Sequence, residues 1–152
     1  MLKLNLYDKR SSDIDYTISK VPDGQQSIEI SLGRLIDDTN LAVEIVSPMQ
    51  SFKDVELIIL ANQAIREVKS NCKVELYVPY FLGARSDRKF TDGGVNYLKD
   101  VICPIINSQN YKSVTVMDPH SDVLEACLNN YKKIDNISLV KQALTKIDNT
   151  NE

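Results

Sequence analysis

Cysteine is scarce and unpaired in this 152-residue chain. Cys72, Cys103 and Cys127 are odd in number and form no C-x-x-C pair. That excludes a disulfide framework and a cysteine zinc site, and implies free thiols in a reducing compartment. Long apolar runs are also missing. The longest, such as Leu57 to Ala61, are far too short to span a bilayer. The N-terminal stretch MLKLNLYDKR has no apolar core of the kind a secretory signal carries. A cytoplasmic chain without membrane association is expected. Positive charge is not in excess: the net charge is −3, so no global field favours nucleic acid. No G-x-G-x-x-G follows any predicted strand, which disfavours a dinucleotide fold. There is no internal repeat, linker or low-complexity tract.

What is present describes one ordinary domain over residues 1–152, with 43% hydrophobic and 26% charged residues. Alternation predicts strands over Leu2 to Tyr7, Ile14 to Ile18, Ile28 to Leu32 and Leu41 to Val46. Pro22-Asp23-Gly24 marks a turn and residues 33–40 a polar connection. Ser51, with Asp54 three residues on, opens a helix whose stripe runs from Phe52 to Val68. A buried strand follows over Val74, Leu76 and Val78 and is stopped by Pro79. After Asp92-Gly93-Gly94, helical spacing runs from Val95 to Ile106, with Pro104 expected to kink or shorten it. Val114 to Met117 reads as a strand, Val123 to Tyr131 as a helix, Ile137 to Val140 as a last strand, and Ala143 and Leu144 as a short helix. From Asp148 onward a frayed tail is expected. Helix alternating with strand after Ser51 implies an α/β fold with a mainly parallel central sheet and some antiparallel strands near the N-terminus.

Two loops carry the chemistry. Gly83-Ala84 gives small side chains beside Arg85, Arg88 and Lys89, three cations within five residues, with Asp87 among them. A cationic loop at the carboxyl end of a strand suits a phosphorylated ligand; the plainer reading is a solvated basic turn. The second loop follows the Val114 strand. His120, the chain's one histidine, lies two residues from both Asp118 and Asp122. An imidazole among carboxylates suits Mg²⁺ or Mn²⁺ with nucleotide phosphates completing the shell, or proton transfer near neutral pH. The plainer reading is a helix-capping turn with His120 exposed. If the two strands are parallel neighbours, both loops line one crevice.

The run Pro79-Tyr80-Phe81-Leu82-Gly83-Ala84-Arg85-Ser86-Asp87-Arg88-Lys89 resembles the P-Y-x-x-Y-A-R-Q-D-R-K segment of ribose-phosphate diphosphokinase, the phosphoribosyl pyrophosphate synthetase family. Thr115-Val116-Met117-Asp118-Pro119-His120-Ser121 is similar to its T-V-D-L-H-A stretch, with the Asp displaced and the His retained. Val21-Pro22-Asp23-Gly24-Gln25 resembles its F-S-D-G-E turn, and the three come in family order. The resemblance implies a phosphoribosyltransferase-like three-layer α/β domain that transfers the β,γ-diphosphoryl group of ATP to the C1 hydroxyl of ribose 5-phosphate. It implies ATP contacts from Arg85, Ser86 and Asp87, with Asp23 and Gln25 reaching the adenine of a neighbouring subunit in a homo-oligomer. It implies Mg²⁺ binding by His120, and catalytic roles for His120, Arg88 and Lys89.

The sequence also departs from the family. Val21 replaces a stacking Phe, Gln25 a Glu and Ser86 a Gln, and residues 9–15 are too short for the helix that follows the first strand. The match is to the amino-terminal, ATP-binding half. The carboxyl-terminal domain, with its acidic D-D-x-x-D-T-A-G-T phosphate loop, is expected to be absent or to come as a separate half, and the chain alone to be inactive. The alternative is a non-catalytic synthetase-like module that regulates or scaffolds.

Overall fold

The computed structural model describes residues 1–37, 42–120 and 122–148. It is an α/β domain. A five-stranded, wholly parallel sheet has the order β1-β4-β5-β6-β7, beside a two-stranded antiparallel pair, β2-β3. The elements are β1 (Leu2–Asn5), a 3₁₀ turn (Lys9–Ser11), β2 (Tyr16–Lys20), β3 (Gln26–Ile30) and α1 (Leu32–Asp37). β4 (Ala42–Val46), α2 (Phe52–Val68) and β5 (Lys73–Val78) follow. A π-helical turn (Leu98–Ile102) leads into α3 (Cys103–Ser108), and β6 (Ser113–Met117), α4 (Val123–Cys127), β7 (Tyr131–Ile134) and α5 (Ile137–Asp148) complete the chain.

The order never reverses, so each crossover adds a strand on the same side. Right-handed crossovers then stack α2, α3 and α4 on one face of the sheet. Their apolar sides share a core with Val43, Ile45, Val74, Leu76, Val78, Val114 and Val116, every second residue of β4, β5 and β6. The intervening residues Glu44, Val46, Glu75, Tyr77, Thr115 and Met117 point to the opposite face and are only half-buried. The β2-β3 hairpin packs outside α2, where Gln26 Nε2 donates to the Lys53 carbonyl at 2.7 Å and to Glu56 at 3.0 Å.

Helix α2 starts where the sequence indicates. Asp54 Oδ2 accepts from the Ser51 and Gln50 amides at 2.8 Å each, closing a capping box. Pro104 does not end its helix. The backbone widens into the π turn just ahead of it, and the Cys103 amide reaches the Leu98 carbonyl five residues back. This accommodates a residue that has no N–H to give and whose ring crowds the preceding turn.

Several boundaries move from their sequence expectations. β2 and β3 each lie two residues from the expected runs, because the hairpin register pairs Tyr16 with Ile30 and Lys20 with Gln26. Leu32 therefore leaves the sheet, and residues 32–37 are helical with Leu35 buried. The helix expected from Val95 begins at Leu98, and Val95 is exposed. Helix α4 stops at Cys127 because Asn107 holds the turn beyond it, donating to the Cys127 carbonyl at 2.8 Å and accepting from the Asn129 amide at 2.9 Å. Tyr131 thus belongs to β7, not to a helix stripe. The expected strand Ile137 to Val140 is the first turn of α5: Ile137, Val140 and Leu144 keep helical spacing over twelve residues. The expected strand start at Leu41, the connection at residues 38–40 and the tail beyond Asp148 lie outside the described residues.

Candidate functional site

β5, β6 and β7 are parallel neighbours, so their carboxyl ends open on the same edge of the sheet. Pro79, Tyr80, Phe81, Ala84 and Arg85 follow β5, Asp118, Pro119 and His120 follow β6, and Asn136 follows β7. With Val116 and Met117 they line one cavity of about 250 Å³. The strand order has no reversal point, which is where open sheets ordinarily split to admit a ligand. Here the cavity is built by the loops.

The first loop is held by its own turns and by the helix that follows. The Ala84 amide donates to the Phe81 carbonyl at 3.2 Å and the Ser86 amide to the Gly83 carbonyl at 2.7 Å. Gly83 has φ +80°, and a Cβ there would lie 3.0 Å from Tyr97 Cδ1, so both the conformation and the close ring call for glycine. The Leu98 amide reaches the Ser86 carbonyl at 3.3 Å and Asn96 Nδ2 the Asp87 carbonyl at 2.7 Å. Arg85 extends from this anchored turn, exposed and with no hydrogen-bond or ion-pair partner among the described residues. Its guanidinium is available to an anion.

The second loop turns sharply. Asp118 has φ +45°, an uncommon conformation for a residue with a side chain. Its amide donates to the Ile134 carbonyl at 2.7 Å, and its Oδ2 accepts from Asn136 Nδ2 at 3.0 Å. The β6 and β7 loops are thereby joined across the cavity. His120 is exposed and has no hydrogen-bond partner among the described residues. Tyr80, Phe81, Met117 and Pro119 give the cavity an apolar wall beside Arg85, Asp118 and His120. An apolar wall with a few polar groups on one side is a common form of small-molecule site.

The sequence-selected residues divide into three groups. Arg85 and His120 line the cavity. Ser86, Asp87, Arg88 and Lys89 belong to the same loop but do not line it; the Arg88 guanidinium lies 5.8 Å from the Phe90 ring centre. Asp23 and Gln25 sit at the exposed tip of the β2-β3 hairpin, where Asp23 Oδ1 accepts from the Gln25 amide at 3.1 Å. Asn136 was not singled out from the sequence. Its neighbours suggested a strand, and only the pairing of β7 with β6 brings it to Asp118.

Among the described residues no three His, Cys, Asp or Glu side chains are grouped to hold a metal. The cavity offers one imidazole and one carboxylate, the latter already accepting from Asn136. That set fits a Mg²⁺ that takes most of its ligands from water and bound phosphates, and does not fit a metal held by protein ligands alone.

No protein-family model matches the chain, and no curated protein matches it. Among solved structures, the fold is similar to a phosphoribosylpyrophosphate synthetase from Mycobacterium smegmatis. The TM-score is 0.68 at 11% identity, over 91% of this chain and 45% of that one. The chain therefore spans less than half the length of that synthetase. The two share an α/β fold of the phosphoribosyltransferase-like kind. No helix among the described residues is long and apolar enough to cross a membrane.

Proposed function

We propose that this domain is the ATP-binding half of a ribose-phosphate diphosphokinase. The observation that carries the reading is the single cavity joining the Arg85 loop to the Asp118-Pro119-His120 loop, the two stretches that resemble the family's nucleotide segments. The base of ATP would lie against Tyr80, Phe81 and Met117, and Arg85 would take the phosphates. Mg²⁺, held by His120 and by oxygens of the phosphates themselves, would neutralise charge on the transferring group. Arg88 and Lys89 would close over the diphosphoryl group once substrate is bound. Holding and neutralising the reactants is most of what diphosphoryl transfer asks of a protein. Asp23 and Gln25, at a hairpin tip that does not line the cavity, would act on the adenine in a neighbouring subunit of a homo-oligomer. Ribose 5-phosphate would be held by a carboxyl-terminal half, so these 152 residues alone would form little phosphoribosyl diphosphate.

Calorimetric titration with ATP, with and without Mg²⁺, tests the reading. Saturable binding that strengthens with Mg²⁺ and is lost in Arg85→Ala is the expected result. Absence of ATP binding by the folded chain, both alone and with a carboxyl-terminal half added, overturns it.

A second reading, a non-catalytic synthetase-like module that regulates or scaffolds, draws on particular residues. Val21, Gln25 and Ser86 stand where the family has Phe, Glu and Gln, and the carbonyls of Ser86 and Asp87 are held by the Leu98 amide and the Asn96 side chain. Binding of synthetase subunits without ATP binding would favour it.

A further inference from the structure

The sequence separates its cysteines, but the fold brings two of them together. Cys103 is the first residue of α3 and Cys127 the last of α4, and these helices pack against each other. Cys103 and Asn107 are four residues apart, so they share one face of the helix. That face meets the end of α4, where Asn107 Nδ2 donates to the Cys127 carbonyl at 2.8 Å and Asn107 Oδ1 accepts from the Asn129 amide at 2.9 Å. The Cys127 side chain is near enough to act on the Cys103 thiol. Cys103 is buried and Cys127 half-buried, while Cys72 lies apart from them, just before β5. Nothing in the proposed nucleotide chemistry uses any of the three.

We propose that Cys103 and Cys127 form a reversible modification site, closing to an intramolecular disulfide on reaction with a low-molecular-weight disulfide such as oxidised glutathione. Cys127, the more accessible sulfur, reacts first. Its thiolate attacks one sulfur of the small disulfide, the S–S bond breaks, and one small thiol leaves. The Cys103 sulfur then attacks Cys127 Sγ and expels the second small thiol. The two cysteines are oxidised, the small disulfide is reduced, and the two protons lost by the cysteines end on the two small thiols. Burial, together with the neighbouring Cys127, pushes the Cys103 thiol up to about 12, so the second step is the slower one. A mixed disulfide on Cys127 therefore precedes the cross-link, and raising the pH hastens its closure.

The bond would fasten the start of α3 to the end of α4, closing a loop that contains β6 and the Asp118-Pro119-His120 turn. Closing a loop of that length constrains the unfolded chain most, so the oxidised protein gains thermal stability. The inference does not depend on what the cavity binds.

The test is oxidised glutathione applied to the native chain, followed by thiol counting, peptide mapping and thermal unfolding. Expected are a fall from three free thiols to one, a 103–127 linked peptide, no disulfide between chains, a Tm higher by several degrees, and full reversal by dithiothreitol. Cys127→Ser should keep both remaining thiols, and Cys103→Ala should stop at the mixed disulfide. Three overturning results are clear: a stable glutathione adduct on Cys127 in the native chain without closure, a cross-link that involves Cys72, or disulfide-linked dimers. Cys72→Ser serves where Cys103→Ala does not fold, because it should close the same bond with no thiol left.

Discussion

At the residue scale, the interior contains two polar atoms without partners among the described residues: the Tyr111 hydroxyl and the Ser113 hydroxyl. A buried hydroxyl with no partner has lost water and gained nothing in exchange. Tyr111→Phe should therefore raise stability by about 1 kcal/mol in urea unfolding; a loss of that size would show that the hydroxyl is bonded in solution. The buried acids also set an alkaline limit. Burial chiefly, with Cys127 adding to it, lifts Cys103 from 9.0 to about 12, and burial raises Tyr111 above its usual 10.0. Both groups hold their protons more tightly folded than unfolded. Their contribution is complete below pH 9 and is lost as pH rises from 9 toward 12. Tm should be level from pH 7 to 8.5 and fall above 9, with the first part of the fall reduced in Cys103→Ala. A Tm flat to pH 11 would contradict this account.

At the scale of elements, the ends matter most. Asp54 holds the amides of Gln50 and of the N-cap Ser51, just ahead of α2, through one carboxylate oxygen, so Asp54→Ala should cost about 1 kcal/mol by denaturant unfolding. No measurable change would mean that water replaces the cap. The first cavity loop depends on Gly83. Gly83→Ala meets both a left-handed backbone and the Tyr97 ring, and should destabilise by about 1–2 kcal/mol. It should also weaken ligand binding, because Arg85 leaves the same turn. Binding unchanged by titration would show that the loop adjusts without cost to the site. Elements were legible in the sequence where one pattern decides them. The α2 cap, the alternation of Val74, Leu76 and Val78, and the Pro22-Asp23-Gly24 turn are local signals. β7 was not legible: Tyr131-Lys132-Lys133-Ile134 does not alternate, as suits a strand whose lysines lie at the sheet edge.

At the scale of the whole molecule, the uniform strand order has an architectural consequence. Parallel sheets are ordinarily covered on both faces. Here the face opposite α2, α3 and α4 has a shallow depression lined by Lys3, Glu44, Val46, Tyr77, Thr115 and Ile134. Ile137, Val140 and Leu144 on α5 are also exposed, at 57%, 51% and 55%. Val140→Glu and Leu144→Glu should accordingly change stability by less than about 0.5 kcal/mol. A large loss in urea unfolding would show that the stripe is covered in solution.

The sequence by itself determined the class of fold and the two loops that carry candidate chemistry. Hydrophobic period, caps and turn residues are local properties, and Arg85 and His120 stand beside strand ends that can be read directly. Only the tertiary structure decided which loops meet. Pairing β5, β6 and β7 in parallel register places Arg85, His120 and Asn136 around one cavity, and packing α3 on α4 brings Cys103 near Cys127. Strand order and helix packing arise from contacts between residues far apart in the chain, and no local period encodes them.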